Sequence, residues 1–227
     1  MRPESTTTYR CEATLERELR ARGFAAVAGV DEVGRGSLFG PVMAAAVVLA
    51  PERPIRGLND SKQIEPDFRE TLAERIRERA VCWAIAAVDA ATIDSINIYQ
   101  ASRLAMRLAV SRLNPAPDFL LTDAVPIDLP LPQRALIKGD ARCHAIAAAS
   151  IIAKVYRDAC MRVWDEVFPA YGLASHKGYA TPEHCKALAE FGPTPLHRLS
   201  FDPVRARSLF PIDYNCQMDL FDTAGAA

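Results

Sequence analysis

The chain has 227 residues, half of them hydrophobic, and a formal net charge of −1. That length suits one large domain, or one domain with an appendage, and supplies enough apolar surface for a sizeable core. The near-neutral balance excludes a strong field over the whole molecule but leaves room for a local basic groove. Arg greatly outnumbers Lys, which suits bidentate phosphate contacts or reflects compositional bias alone. Cys11, Cys82, Cys143, Cys160, Cys185 and Cys216 are scattered, with no C-x-x-C pair and no paired His. Most read as buried, reduced thiols of a cytoplasmic protein rather than zinc ligands. The N-terminus lacks a signal pattern and no apolar stretch is long enough to span a bilayer, so no membrane association is expected.

Residues 1–10 are polar, and 11–22 read as a short charged helix, together an N-terminal extension. "FAAVAGVDEV" and "PVMAAAVVLA" are β-compatible runs separated by a Gly-rich turn, which predicts an antiparallel hairpin. After a loop, "EPDFRETLAERIRERA" predicts a helix with Glu65 and Asp67 near its positive dipole end. "VCWAIAAVDA" predicts a third strand. Residues 92–113 predict a helix whose apolar face carries Ile96, Tyr99, Leu104, Leu108 and Val110. "DFLLTDAV" predicts a strand ending in Asp123, and "RALIKGDA" another ending near Asp140. A long helix over roughly 143–166 follows, then helical pieces and loops, including a helix in "TPEHCKALAEF". This order describes an α/β protein with one mixed sheet.

Asp31 and Glu32 end the first strand, Asp123 ends the fourth and Asp140 follows the fifth. Strand ends on one edge of a sheet converge, and α/β proteins commonly carry their sites there. A carboxylate cluster is costly unless cations or protons neutralise it. Oxygen ligands without Cys or His suit Mg²⁺ or Mn²⁺. Two such ions, about 3.5–4 Å apart, would clamp the attacking and leaving oxygens of a phosphodiester displacement. An Asp at a strand end is equally an ordinary turn former or helix cap. The turn "GRGSLFG" is not G-x-G-x-x-G and leads into a strand rather than a helix, which argues against a dinucleotide fold. Gly34 and Gly36 could let backbone come close to a ligand, with Arg35 offering a phosphate or sugar contact, or could simply make a tight hairpin turn.

Taken together, "GVDEVGRGSLFGPV", "LNDSK", "KGDARCHAIAAASIIAKVYRD", "HKGYATPEH" and "HRLSFDPV" resemble bacterial ribonuclease HII, in family order and from residue 25 to 206. The resemblance implies a ribonuclease H-like fold: a mixed five-stranded sheet flanked by helices, with a helical C-terminal part, here over residues 23–209. It implies metal-dependent endonucleolytic cleavage of the RNA strand of RNA/DNA hybrids. It also implies cleavage on the 5′ side of single ribonucleotides embedded in DNA, leaving a 3′-hydroxyl and a 5′-phosphate. The family's metal-site acids fall on Asp31, Glu32, Asp123 and Asp140. Its Gly-Arg-Gly element, which contacts the nucleotide at the scissile bond and its 2′-hydroxyl, falls on Gly34, Arg35 and Gly36. Its motif tyrosine, which packs on the sugar at the DNA side of the junction, falls on Tyr179. Ser37, Ala124 and Ala141 depart from the common Pro, Gly and Ser, and Ala124 puts a Cβ beside the metal site.

Lys62, Lys138, Lys154 and Lys177 are candidate phosphate contacts, each equally a solvated surface residue. His144, His176, His184 and His197 form no ligand spacing and read as polar packing. Residues 210–227 are expected to be a disordered tail. Within it Gln217, Leu220 and Phe221 belong to "QMDLF", which resembles the sliding-clamp-binding peptide Q-x-[SD]-L-F; a tail folded back on its own domain is the alternative. Two other classes stay open at this point: a non-catalytic nucleic-acid binder of the same fold, and a nucleotide-binding α/β module.

Overall fold

The computed structural model describes residues 9–207, so the proposed clamp peptide with Gln217, Leu220 and Phe221 lies outside the described residues. In chain order the elements are α1 (Thr14–Ala21), β1 (Val27–Val33), β2 (Val42–Leu49), α2 (Pro66–Arg79), β3 (Ala80–Val88), α3 (Ala90–Ser111), β4 (Phe119–Asp123), β5 (Gln133–Leu136), α4 (His144–Val167), α5 (Leu173–His176), α6 (Pro182–Phe191) and α7 (Asp202–Arg205). The strands form one sheet in the order β3-β2-β1-β4-β5. β1–β2 and β2–β3 are antiparallel; β1–β4 and β4–β5 are parallel. This is the mixed sheet the sequence predicts, with the hairpin at β1–β2.

Strand alternation builds two cores from the same strand. In β2, Val42, Ala44, Ala46 and Val48 face one side and pack with Ile93, Ala101, Ala105, Met106 and Ala109 of α3. Ala45 and Val47 face the other side, with Leu72 and Ile76 of α2 and Ala148, Ile151 and Ile152 of α4. A sheet buried on both faces needs apolar residues at every position, which is why β2 reads VMAAAVVL without polar alternation. Gly29 of β1 sets how closely α4 approaches: a Cβ there would lie 2.0 Å from the Ala145 carbonyl carbon. Helix backbone therefore rests directly on the strand that carries Asp31 and Glu32.

α1 docks against the same body. The buried Glu16 carboxylate accepts from the Ala145 N–H at 2.7 Å, in the first turn of α4, where a negative group is favoured. A separate apolar cluster joins the C-terminal helices to the turn after β1: Leu38 and Phe39 pack with Met161, Tyr171, Leu173, Leu188 and Val204.

Two expectations are corrected. The helix over 92–113 is interrupted at Asn97, whose φ of 67° and ψ of 161° are not helical. This positive-φ, extended conformation is strained for a residue with a Cβ, and the Asn97 side-chain oxygen accepts from Gln100 N–H to restart the helix. The fifth strand stops at Leu136 rather than near Asp140. Lys138 turns into left-handed conformation, and Asp140 sits in a 3₁₀ turn over Gly139–Ala141.

Candidate active site

The parallel pairing of β1 with β4 runs through Val30 opposite Thr122. The next residues along each strand are Asp31 and Asp123, so both carboxylates emerge side by side at the C-terminal end of the sheet. Asp123 then recruits the third: its Oδ1 accepts from the Gly139 N–H at 2.6 Å, which pins the turn presenting Asp140. Gly139 is tightly enclosed there, because a Cβ would lie 2.6 Å from Ile146 Cδ1. Glu32 follows Asp31 on β1, and its Oε1 pairs with Arg35 at 3.2 Å.

All four acids line one pocket of about 470 Å³, together with Gly34, Arg35, Gly36, Ser61, Lys62, Ser150, Lys154 and Tyr179. The structure thus gathers the four predicted acids, the Gly34-Arg35-Gly36 turn, Lys62, Lys154 and Tyr179 in one place. Lys138 and Lys177 do not join them. The Lys138 ammonium lies over the Tyr9 ring, 5.8 Å from its centroid, and the Lys177 ammonium donates to the Ala174 carbonyl. Lys154 borders the pocket but is paired with Asp158 at 2.9 Å. Lys62 has no ion pair among the described residues.

The electrostatics are those of crowded acids. Burial holds the Asp31 carboxyl well above the usual carboxylate range, and the charges of Glu32 and Asp123 push it further. Asp123 is raised mainly by burial, against the Gly139 N–H that stabilises its charge. Asp140 is raised by burial, then by Asp60 and Asp123. Glu32 Oε2 is buried without a hydrogen-bond partner. Among the described residues no three His, Cys, Asp or Glu form a ready-made metal site; the acids share a pocket rather than a closed ligand set.

The two glycines of the turn have different reasons. Gly34 has a φ of +86°, and a Cβ there would lie 2.1 Å from Nε of the buried Arg157. Packing beneath the turn and the left-handed backbone therefore already require glycine at this pocket-lining position. Gly36 faces the pocket, with the Tyr179 ring 3.9 Å from where a Cβ would be. Tyr179 itself is held by backbone, bridging antiparallel to Ser37. Ser61 and Ser150 were not anticipated from sequence. Their hydroxyls lie 3.0 Å apart, and the Ser150 hydroxyl works against the burial that raises the Asp31 carboxyl. The signal was present only as "DSK" and "ASII", which carry no chemistry until α4 folds onto β1. Ala124, beside Asp123, has a φ of 54°, so the Cβ at this position strains the backbone at the pocket edge.

A mixed five-stranded sheet with acids gathered at adjacent parallel strand ends defines a ribonuclease H-like protein. Solved structures agree: ribonuclease H2 from Pyrococcus horikoshii OT3 superposes with a TM-score of 0.67 at 26% identity, covering 80% of this chain and 96% of that one. Ribonuclease HII from Archaeoglobus fulgidus, solved in complex with PCNA, also gives 0.67, at 28% identity over 78% and 95%. The Ribonuclease HII family profile matches residues 28–204. A ribonuclease HII from Solibacter usitatus is 78% identical over 219 residues, 96% of each chain. One from Koribacter versatilis is 56% identical over 195 residues, 86% of this chain and 77% of that one. The chain belongs to the ribonuclease HII family and is a nuclease.

Proposed function

We propose that the protein cuts the RNA strand of RNA/DNA hybrids and the 5′ side of single ribonucleotides embedded in DNA, acting in the cytoplasm. The observation that carries this reading is the convergence of Asp31, Glu32, Asp123, Asp140, the Gly34-Arg35-Gly36 turn and Tyr179 on one pocket. The donors are all oxygen, and Glu32 Oε2 is buried and unpartnered, which fits hard divalent cations, Mg²⁺ or Mn²⁺. Asp31, Glu32, Asp123 and Asp140 would hold them. When bound, such ions supply the charge that activates a water for attack at phosphorus and stabilises the leaving 3′-oxygen.

The remaining work belongs to the chain. Gly36 leaves room for backbone to approach a ribose 2′-hydroxyl, the group that marks a ribonucleotide at the sugar. Tyr179, about a third exposed at 37%, offers its ring as a platform for the following deoxyribose, where an extra hydroxyl would clash. Lys62 and Arg35 supply positive charge for phosphates, which set affinity and register rather than sequence preference. The site test is cleavage of a duplex with one ribonucleotide in Mg²⁺, Mn²⁺ or EDTA: cutting in either metal and none in EDTA supports the assignment, and metal-independent cutting removes it.

The tail peptide with Gln217, Leu220 and Phe221 is proposed to tether the enzyme to the sliding clamp. Its Q-M-D-L-F pattern and the PCNA complex of the Archaeoglobus relative support that reading. Tethering raises local concentration on DNA without strong intrinsic affinity.

A further inference from the structure

Beneath the turn lie two charged side chains that the catalytic reading does not use. Arg157 of α4 and Arg198 are both fully buried. Neither has an ion-pair partner among the described residues. Buried charge without a counter-ion is costly, so its surroundings must be unusual. Those of Arg157 are almost entirely acceptors. Its Nε donates to the Pro41 carbonyl at 3.2 Å, and its Nη1 to the Lys177 carbonyl at 2.9 Å. Its Nη2 donates to Ser37 Oγ at 2.7 Å and to the Phe39 carbonyl at 3.1 Å. Arg198 closes the turn from the other side, with Nε on the Gly40 carbonyl at 3.0 Å and Nη1 on the Arg35 carbonyl at 2.8 Å.

Through these bonds Arg157 ties together two segments over a hundred residues apart in the chain: the end of the Gly-Arg-Gly turn and the loop that carries Tyr179. The seam between them is already tight. Leu38 N–H donates to the Gly178 carbonyl at 2.8 Å, and a Cβ on Gly178 would lie 2.7 Å from Ser37 Oγ. Gly34 rests on the guanidinium, and the Tyr179 ring centroid is 5.8 Å from its carbon.

We infer that Arg157 is a positioning residue for junction recognition: its guanidinium locks the turn facing the ribose and the loop facing the deoxyribose into one rigid reader. The inference rests on the function proposed above. Only a planar fork with five donors and no acceptor can serve these four acceptors at once. Lys would keep the charge but could not span the two segments. Ser37 Oγ is the one side-chain acceptor in the set, so it gives a milder way to loosen the lock. Arg157 and Arg198 also put positive charge without an ion-pair partner among the described residues behind the turn that lines the pocket, which would add to the attraction for a substrate phosphate.

The test compares the full chain with Arg157→Lys, Arg157→Met and Ser37→Ala on two substrates. One is a duplex with a single ribonucleotide; the other is a continuous RNA/DNA hybrid, which offers no deoxyribose for Tyr179 over most of its length. Arg157→Lys should lower kcat on the single-ribonucleotide duplex by about tenfold or more, as expected when reacting groups shift by a fraction of an ångström. Its KM should change little, and its loss on the hybrid should be smaller. Arg157→Met should also raise KM on both substrates. Ser37→Ala should shift the ratio of the two activities in the same direction. Equal fractional losses on both substrates, the mark of fewer folded molecules, would overturn the inference. If the Arg157 variants do not fold, an unchanged ratio in Ser37→Ala overturns it and a shifted ratio supports it. A wild-type chain that leaves the single-ribonucleotide duplex intact defeats the underlying functional reading itself, and the inference with it.

Discussion

Lowering the pH should destabilise the fold through two buried imidazoles beside the Tyr179 loop. His184 Nδ1 lies 3.0 Å from the Tyr179 carbonyl oxygen, which can only accept, so that nitrogen carries the proton. His197 Nδ1 accepts from the Thr194 N–H at 2.9 Å, so its own proton sits on Nε2. That proton points to His184 Nε2, 3.2 Å away. The chain is satisfied only when both rings are neutral. Burial, then the neighbouring His184, depresses His197 to about 3, and burial also lowers His184. In the unfolded chain an imidazole titrates near 6.5. The stability from a neutral His197 is therefore complete above about 6.5 and is lost as the pH falls toward 3, because the unfolded state takes up the proton first. Between pH 7.5 and pH 5 that loss is about 2 kcal/mol, or roughly 4–8 °C in Tm for a domain of this size. The raised carboxyls of Asp31, Asp123 and Asp140 act in the opposite sense, gaining stability as the pH falls through their folded values. Thermal unfolding in EDTA should therefore be compared between wild type and His197→Gln at both pH values. The wild type should lose more Tm on acidification by that margin. Equal losses would show that His197 is not held neutral, and the assignment of the imidazole chain would be wrong.

Asp123→Asn should abolish cleavage in Mg²⁺ or Mn²⁺ while the protein stays folded, since the substitution removes charge and little volume; circular dichroism with a cleavage assay checks both, and normal turnover would refute the metal role. Ala124→Gly should stabilise the protein by about 1 kcal/mol, because Ala124 occupies a left-handed conformation that costs roughly 1–2 kcal/mol for a residue with a Cβ; chemical denaturation measures it. Leu220→Ala/Phe221→Ala should abolish binding to the species' own sliding clamp in a titration and leave cleavage of short duplexes unchanged. Equal clamp binding by variant and wild type, or by neither, would reject the tether.

The parts of this site that could be read in the sequence are those set by local pattern. β2 is apolar throughout because both its faces are covered, and Asp31 and Asp123 fall at strand ends because their strands are short apolar runs with clear stops. The nearness of those two acids was legible for that reason, whereas Asp140 sits in a turn beyond its strand and was grouped with them by the motif order. Arg157 and Arg198 were not legible as parts of the reader. A charged residue in a helix such as "KVYRDA" ordinarily faces solvent, and only long-range folding supplies the carbonyls that bury it. The packing of Gly34 against Arg157 was not legible for the same reason: the two are distant in sequence. The end of β5 and the break at Asn97 turn on single positive-φ residues, Lys138 and Asn97, which apolar periodicity does not register.

The most direct measurement is the position and chemistry of the cut in a duplex that carries one ribonucleotide in an otherwise all-DNA strand. The four acids, the Gly34-Arg35-Gly36 turn and Tyr179 predict a single break on the 5′ side of the ribonucleotide in Mg²⁺ or Mn²⁺. The upstream fragment should end in a 3′-hydroxyl, and the downstream fragment should begin with the 5′-phosphorylated ribonucleotide. Tyr179→Ala should slow that break more than it weakens duplex binding. A break on the 3′ side, a 2′,3′-cyclic phosphate end, or cutting of the all-DNA control at a similar rate would contradict the account.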